Sequence, residues 1–213
     1  MLLRTPQRFL AANVTNNRMK KEQIQAIGNF LMYYHEDLNY IKIFQDFKEN
    51  RISREDYCLK NKGTFYSFLI EFKIIRNFKK GETEQLLKET EYYIKNHNEN
   101  NVDLFAEKLA KTDLTRGNRT TSAASKILFL NNPWNIIPMD RINRKALKQN
   151  ENEYSIYKVN LDLFRKTNKS VIEECLFYIN PLVTTIENEF KDSLKDINII
   201  RENRLIDKLL WTT

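Results

Sequence analysis

Apolar residues along this chain recur at intervals of three and four, the period of a helix with one buried face, almost from end to end. Ile24, Ile27, Phe30, Leu31 and Tyr34 predict one helix, and Leu38, Ile41, Phe44 and Phe47 predict the next. A longer pattern passes through Tyr57, Phe65, Phe68, Leu69, Phe72 and Ile75 and is broken or started by Gly63. Beyond Gly81, the residues Leu86, Leu87, Tyr92, Tyr93 and Ile94 mark a further helix, and a polar turn at 96–101 separates it from Val102, Phe105, Leu109 and Ala110. The stretch 112–121 is the least helical part of the interior, and Thr120, Thr121 or Ser122 can cap the helix that Ala123, Ala124, Lys126, Ile127 and Leu128 begin. Asn131, Asn132 and Pro133 close that helix, an extended link follows over 134–139, and Asp140 opens a helix whose Ile142, Ala146 and Leu147 share a face. Three more helical patterns finish the chain at 154–164, 171–190 and 197–211, with Pro181 expected to kink or divide the second. The pattern predicts an all-α, single compact multi-helix domain over 1–213, without repeats or heptads.

Composition supports that class. Gly and Pro number only four each in 213 residues, too few to turn a succession of hairpins. The aromatic stripe is read as core, since 41% apolar residues suffice for a sizeable one. Cys58 and Cys175 stand alone in apolar or helical contexts and are expected to be buried thiols in a reducing compartment. His35 and His97 are equally isolated, so no metal and no cofactor is called for. The 1–12 stretch carries Arg4 and Arg8 but no apolar run of signal-peptide length, and no segment reaches the length of a membrane span. These features predict a soluble intracellular protein without a membrane partner, cytoplasmic and, in a prokaryote, nucleoid-associated.

Charge changes the picture more than composition does. Between Leu114 and Asn150 stand seven basic residues, Arg116, Arg119, Lys126, Arg141, Arg144, Lys145 and Lys148, and one acidic residue, Asp140; outside that window the chain carries 28 basic and 27 acidic residues. A lysine-rich base composition would spread the charge evenly and would not strip carboxylates from one window. A compact cationic face is what counterion release on a phosphate backbone calls for. The turn Arg116-Gly117-Asn118-Arg119 with Thr121 and Ser122 can offer backbone N–H groups and two guanidinium groups to a phosphate, and the helix that follows adds its dipole. Arg141, Arg144, Lys145 and Lys148 repeat at i, i+3, i+4 and i+7, the spacing of a phosphate-tracking helix face.

Lys126 and Asp140 are the candidates for chemistry inside this window. Arg116 and Arg119 are expected to disfavour the ammonium form of Lys126, which makes its amine a usable nucleophile. Asp140, the lone carboxylate among seven cations, can stabilise a developing oxocarbenium ion or orient a proton transfer. Each also has a plain reading: Asp140 as a helix N-cap, Lys126 as an exposed helix residue. Trp134 is open in the same way, as a wedge or stacking ring for a flipped base or as a lid on a local apolar cluster.

The segments Ser122-Ala-Ala-Ser-Lys-Ile-Leu-Phe-Leu and Ile137-Pro-Met-Asp-Arg-Ile-Asn-Arg resemble the catalytic segment of helix-hairpin-helix DNA glycosylases, particularly the 8-oxoguanine glycosylase-like branch. In that superfamily a hairpin precedes a helix with the nucleophilic lysine, and an apolar-Pro-apolar-Asp element carries the essential aspartate. Lys126 and Asp140 stand at the matching positions, while the hairpin has Gly117 in place of paired glycines. The resemblance covers some 30 to 40 residues. It implies a helix-hairpin-helix glycosylase-like fold and a duplex DNA partner bearing a damaged or modified base. It also implies base excision, with Lys126 attacking C1′ and, where both roles hold, a nick at the abasic site through a Schiff base. The alternative from another class is a non-catalytic helical nucleic-acid-binding protein using the 116–148 basic face, and a third is an interaction protein whose charge is compositional.

Overall fold

The computed structural model describes residues 19–58 and 63–213; the Met1–Ala12 stretch weighed above lies outside the described residues. Among the described residues the secondary structure is helical throughout, as the apolar period predicts. The helices are α1 (Lys21–Lys48), α2 (Arg54–Cys58), α3 (Thr64–Glu71), α4 (Thr83–Asn96), α5 (Val102–Lys111), α6 (Thr121–Asn131), α7 (Arg141–Ala146), α8 (Tyr154–Thr167), α9 (Lys169–Asn188) and α10 (Ile197–Thr212), with 3-10 turns at 75–77 and 113–115.

The two helices expected over 24–47 are one 28-residue helix, α1. The polar triplet His35-Glu36-Asp37 reads as an interruption, yet Asp37 is buried on the helix's inner face and ion-paired. The pattern from Tyr57 to Ile75 divides into α2, α3 and a 3-10 turn, with Gly63 as the N-cap of α3. Pro181 does not divide α9, which runs through it. Its ring lies on the exposed face, where water can take up the carbonyl that Pro leaves unbonded.

Glycine is scarce, and three helices end in a Schellman turn without it. Asn50, Lys73 and Lys148 take the left-handed position after α1, α3 and α7, at φ 61°, 57° and 55°. The paired closing bonds are present at each, for example Gln149 N–H to Arg144 O at 2.9 Å and Lys148 N–H to Lys145 O at 3.0 Å.

The aromatic stripe is core. Phe30, Tyr34, Phe44, Tyr57, Phe65, Phe68, Tyr93, Phe105, Phe129 and Tyr157 are fully buried. Among the buried tyrosines, Tyr34 donates to Glu187 at 2.6 Å and Tyr93 to the Asn101 carbonyl at 2.5 Å. Cys58 and Cys175 are buried thiols, and burial pushes them up to about 12 and about 11. α10 lies against α1, α7 and α9, and its residues 203–210 are all buried. Helix α10 is therefore a central strut that packs on three other helices. Among the described residues no helix is long and apolar enough to cross a membrane.

Candidate active site and nucleic-acid surface

Asp140 reaches its place because the link before it is held at every residue. The Ser125 hydroxyl, one position before Lys126, accepts the Met139 N–H at 2.9 Å. The Tyr154 hydroxyl accepts the Ile137 N–H and donates to the Ile137 carbonyl, both at 3.0 Å, and Tyr157 donates to the Pro138 carbonyl at 3.1 Å. So α6 and α8 fix 137–139 between them, and the chain emerges at Asp140 in an extended conformation as the N-cap of α7. Its carboxylate accepts the Asn143 N–H at 2.8 Å, an N-cap bond.

Asn143 is the fully buried residue of α7, while Ile142 is 52% exposed, which corrects the face expected from Ile142, Ala146 and Leu147. The Asn143 side-chain nitrogen, with two N–H bonds, lies 2.8 Å from Asp207 of α10, 3.1 Å from the Pro138 carbonyl and 3.2 Å from the Tyr157 hydroxyl. Asp207 in turn sits 3.1 Å from Arg204 Nη1 and 3.2 Å from Lys208 Nζ, and Arg204 Nε donates to Asp37 of α1 at 2.7 Å. Asp37, Arg204, Asp207 and Lys208 are all buried, two carboxylates against two cations. Arg204 also lies over the Phe129 ring at 5.0 Å, and Lys208 over Trp211 at 4.0 Å and Tyr33 at 5.1 Å.

Lys126 is partly buried on α6, and its ammonium donates to the Phe72 carbonyl, the C-cap of α3, at 2.9 Å. Its pKa lies below the ordinary lysine value. Burial is the largest cause, Asp140 and Asp207 oppose it, and Arg204 and Arg76 reinforce it. The direction agrees with the expectation from sequence, but the cause does not: desolvation and the arginines at 76 and 204 act, in place of Arg116 and Arg119. Lys126 and Asp140 thus feel one another's charge across the α6–α7 junction, each already bonded to backbone.

The basic residues separate into two groups. Arg141, Arg144, Lys145 and Lys148 line one open hollow of about 550 Å³ with Gln149 and Asn150, and no carboxylate lines it. The helix stripe ends early, because α7 stops at Ala146 and Lys148 joins the hollow from the left-handed turn. Arg144 Nη1 donates to the carbonyls of Asn150 and Glu151, at 3.0 and 3.2 Å, so its guanidinium is held in place. Among the described residues none of these four cations has an ion-pair partner. Lys126 and Asp140 are not among the walls of the hollow.

The turn before α6 contributes less than its sequence suggests. Arg119 is spent internally, 2.9 Å from Asp103 and 3.7 Å from Glu107 of α5. Asp103 also accepts the N–H groups of Tyr154 and Ser155, so this arginine helps start α8. Thr121 is buried and donates to the Asn152 carbonyl at 3.0 Å, and it cannot meet a strand. Ser122 is half-buried, its carbonyl accepting Ser125 Oγ at 2.9 Å. Thr120, the N-cap of α6, makes no side-chain capping bond. Arg116, Gly117 and Asn118 remain exposed, with Arg116 and Gly117 both at positive φ, 53° and 76°. Trp134 is the lid: its indole N–H donates to the Lys195 carbonyl at 2.8 Å and its ring packs on the core.

Sequence reasoning missed Ser125, Asn143, Tyr154, Tyr157 and the α10 charges. Compared with protein-family models, with curated proteins and with solved structures, the chain matches none of them.

Proposed function

We propose that this protein is a DNA glycosylase that binds duplex DNA through the hollow beside α7 and excises a damaged or modified base at Lys126 and Asp140. One observation carries the reading. The six-residue helix α7 has as its N-cap a carboxylate that acts on a pKa-lowered lysine, and along it and its C-terminal turn four cations, none ion-paired among the described residues, line one hollow. Six residues of helix span ~9 Å. A backbone phosphate in the hollow therefore leaves a neighbouring nucleotide within reach of Asp140.

On losing its proton, the Lys126 amine exchanges the Phe72 carbonyl for C1′ of the sugar of a flipped nucleotide. The N–C1′ bond forms as the glycosidic bond breaks, and the base leaves with the electron pair and takes a proton from solvent. The Asp140 carboxylate faces the positive charge that develops on the sugar. The bonded nitrogen then loses a proton, its lone pair forms the C=N bond of the Schiff base, and O4′ leaves C1′ with the electron pair and takes a proton from solvent.

A second reading, a nucleic-acid-binding protein without chemistry, is favoured by the bonds that Lys126 and Asp140 already make to Phe72 and Asn143. Incubation with duplexes carrying an abasic site or 8-oxoguanine, with borohydride present, separates the two. A covalent adduct on a denaturing gel that disappears in Lys126→Gln supports the glycosylase. Salt-sensitive binding without an adduct overturns it and leaves the binding protein. Asp140→Asn keeps a good N-cap while removing the charge, so base release should vanish with DNA binding intact.

A further inference from the structure

A second hollow, of about 210 Å³, lies between α4 and α5 and shares no residue with the α6–α7 site or the hollow beside α7. Glu89, Tyr92 and Tyr93 of α4 and Phe105, Lys108 and Leu109 of α5 line it, each set at the i, i+3, i+4 spacing of one helix face. Lys111 joins them from the end of α5. The floor is apolar and fixed. Tyr93, Phe105 and Leu109 are fully buried, the Tyr93 and Phe105 rings lie 4.7 Å apart, and the Tyr93 hydroxyl is tied to the Asn101 carbonyl.

The walls are unlike the floor. Tyr92, on an apolar stripe by sequence, is 59% exposed, and its one ring contact among the described residues is an edge-on approach to His97 at 6.2 Å. Lys108 is half-buried, yet neither its ammonium nor that of Lys111 has an ion-pair or hydrogen-bond partner among the described residues. Glu89 is half-buried and accepts Gln85 Nε2 at 2.9 Å, which steadies its carboxylate without neutralising it. Two cations and an anion thus line one small hollow and do not pair with one another. Charges that have given up part of their hydration without gaining a partner are an unmet cost that a ligand can meet.

The arrangement restricts what that ligand is. The volume is below the roughly 300–1,000 Å³ of pockets for drug-sized molecules, so there is room for one ring system. A flat ring can stack on Tyr92 above the apolar floor. A plain aromatic acid would meet the lysines but bring no donor to Glu89, and an aromatic amine would meet Glu89 but face two ammonium groups. A nucleotide satisfies all three, with a flat base, an N–H edge and a phosphate. Guanine fits best, because its N1–H and N2–H donors lie side by side and match the two acceptor oxygens of a carboxylate.

We infer that the hollow between α4 and α5 is a nucleotide-binding site. The base stacks on Tyr92 with its N–H edge toward Glu89, and the phosphate lies on Lys108 and Lys111. The nucleotide is either free or one unit of a single strand, since a base inside a duplex has its faces and its pairing edge occupied. The inference does not rest on the glycosylase reading and stands or falls apart from it.

Isothermal titration calorimetry of the full chain tests it with guanosine 5′-monophosphate, guanosine, and a thymidine heptamer carrying one central guanine. Guanosine 5′-monophosphate should bind at one saturable site, and Tyr92→Ala should weaken it by about tenfold or more. Lys108→Gln with Lys111→Gln should remove its advantage over guanosine, and Glu89→Leu should weaken both. Tyr92 is mostly exposed, so its truncation leaves the core intact, and the lysine pair reports independently of it. A heptamer that binds more tightly than the mononucleotide, and loses that affinity in Tyr92→Ala, identifies the ligand as a unit of a single strand. A heptamer that binds no more tightly identifies it as a free nucleotide. Absence of saturable binding of either ligand up to millimolar concentration overturns the site. Binding that Tyr92→Ala and the lysine pair leave unchanged also overturns it, and places the phosphate on another cationic surface.

Discussion

Removing one partner of the Asp37–Arg204 pair should be far more damaging than removing both. The pair joins α1 to α10 at 2.7 Å, with side-chain exposures of 5% and 3%. Asp37→Ala leaves a guanidinium buried against an empty site, a change that ordinarily costs about 3–5 kcal/mol. Asp207 remains 3.1 Å from Nη1 and limits the damage, so about 3 kcal/mol is expected here. For a chain of this length that loss lowers the melting temperature by about 6–12 °C. The double variant Asp37→Leu, Arg204→Met replaces the ions by apolar groups and should lie within about 1 kcal/mol of wild type. Urea denaturation followed by far-ultraviolet circular dichroism measures both. A single variant within about 1 kcal/mol of wild type, or a double as damaging as the single, would refute the view that the cost lies in the stranded charge. The pH dependence carries a further sign. Burial pushes Asp37 up, so its contribution to stability declines as pH rises from the unfolded aspartate value through the folded one. Asp207 is held down and behaves oppositely: its contribution is present above the unfolded value and is lost as pH falls through the folded one.

Lys148 occupies a left-handed position that glycine adopts without strain, so Lys148→Gly should stabilise the fold by about 0.5–1 kcal/mol. The same change should weaken DNA binding and reduce the slope of log affinity against log salt by about 1, and unchanged binding would take Lys148 out of the interface. Asp46 is partly buried, which favours its neutral form, but hydrogen bonds from Lys42 and Arg51 win and hold it below the usual aspartate value. Its contribution should be present above about pH 4 and lost as pH falls through the folded value, so Asp46→Asn should flatten the acid side of the stability profile. Lys126 runs the other way, because its folded pKa lies below the unfolded one. Thermal melts of wild type and Lys126→Met should show wild type gaining relative stability as pH rises from the folded value toward about 10.4, and parallel profiles would contradict the burial of this amine.

The helical period was legible wherever apolar residues face the core, and so were Gly63 before α3, Gly81 before α4, the Asp140 cap and the cations of the hollow. What escaped has a single physical origin in several places: a polar residue whose partner is far away in sequence. Asp37 reads as a break between two helices because a carboxylate in an apolar stripe is ordinarily a boundary, and only Arg204, 167 positions later, makes it an interior residue of α1. The same holds on α10, where Arg204, Asp207 and Lys208 are all buried although charged side chains are ordinarily solvated. Asn143 is hidden for the reverse reason, since hydrophobicity favours Ile142 while the structure gives the buried position to an amide that has Asp207, the Pro138 carbonyl and the Tyr157 hydroxyl around it. Arg119 was assigned to a phosphate because its window lacks carboxylates, but Asp103 and Glu107 lie just outside that window in sequence and beside it in space. A charge count along the chain therefore overstates a surface when helices return to it. Among the described residues no helix brings a carboxylate into ion-pair range of the four cations of α7 and its turn, so the proposed nucleic-acid surface narrows from the whole 116–148 window to that hollow.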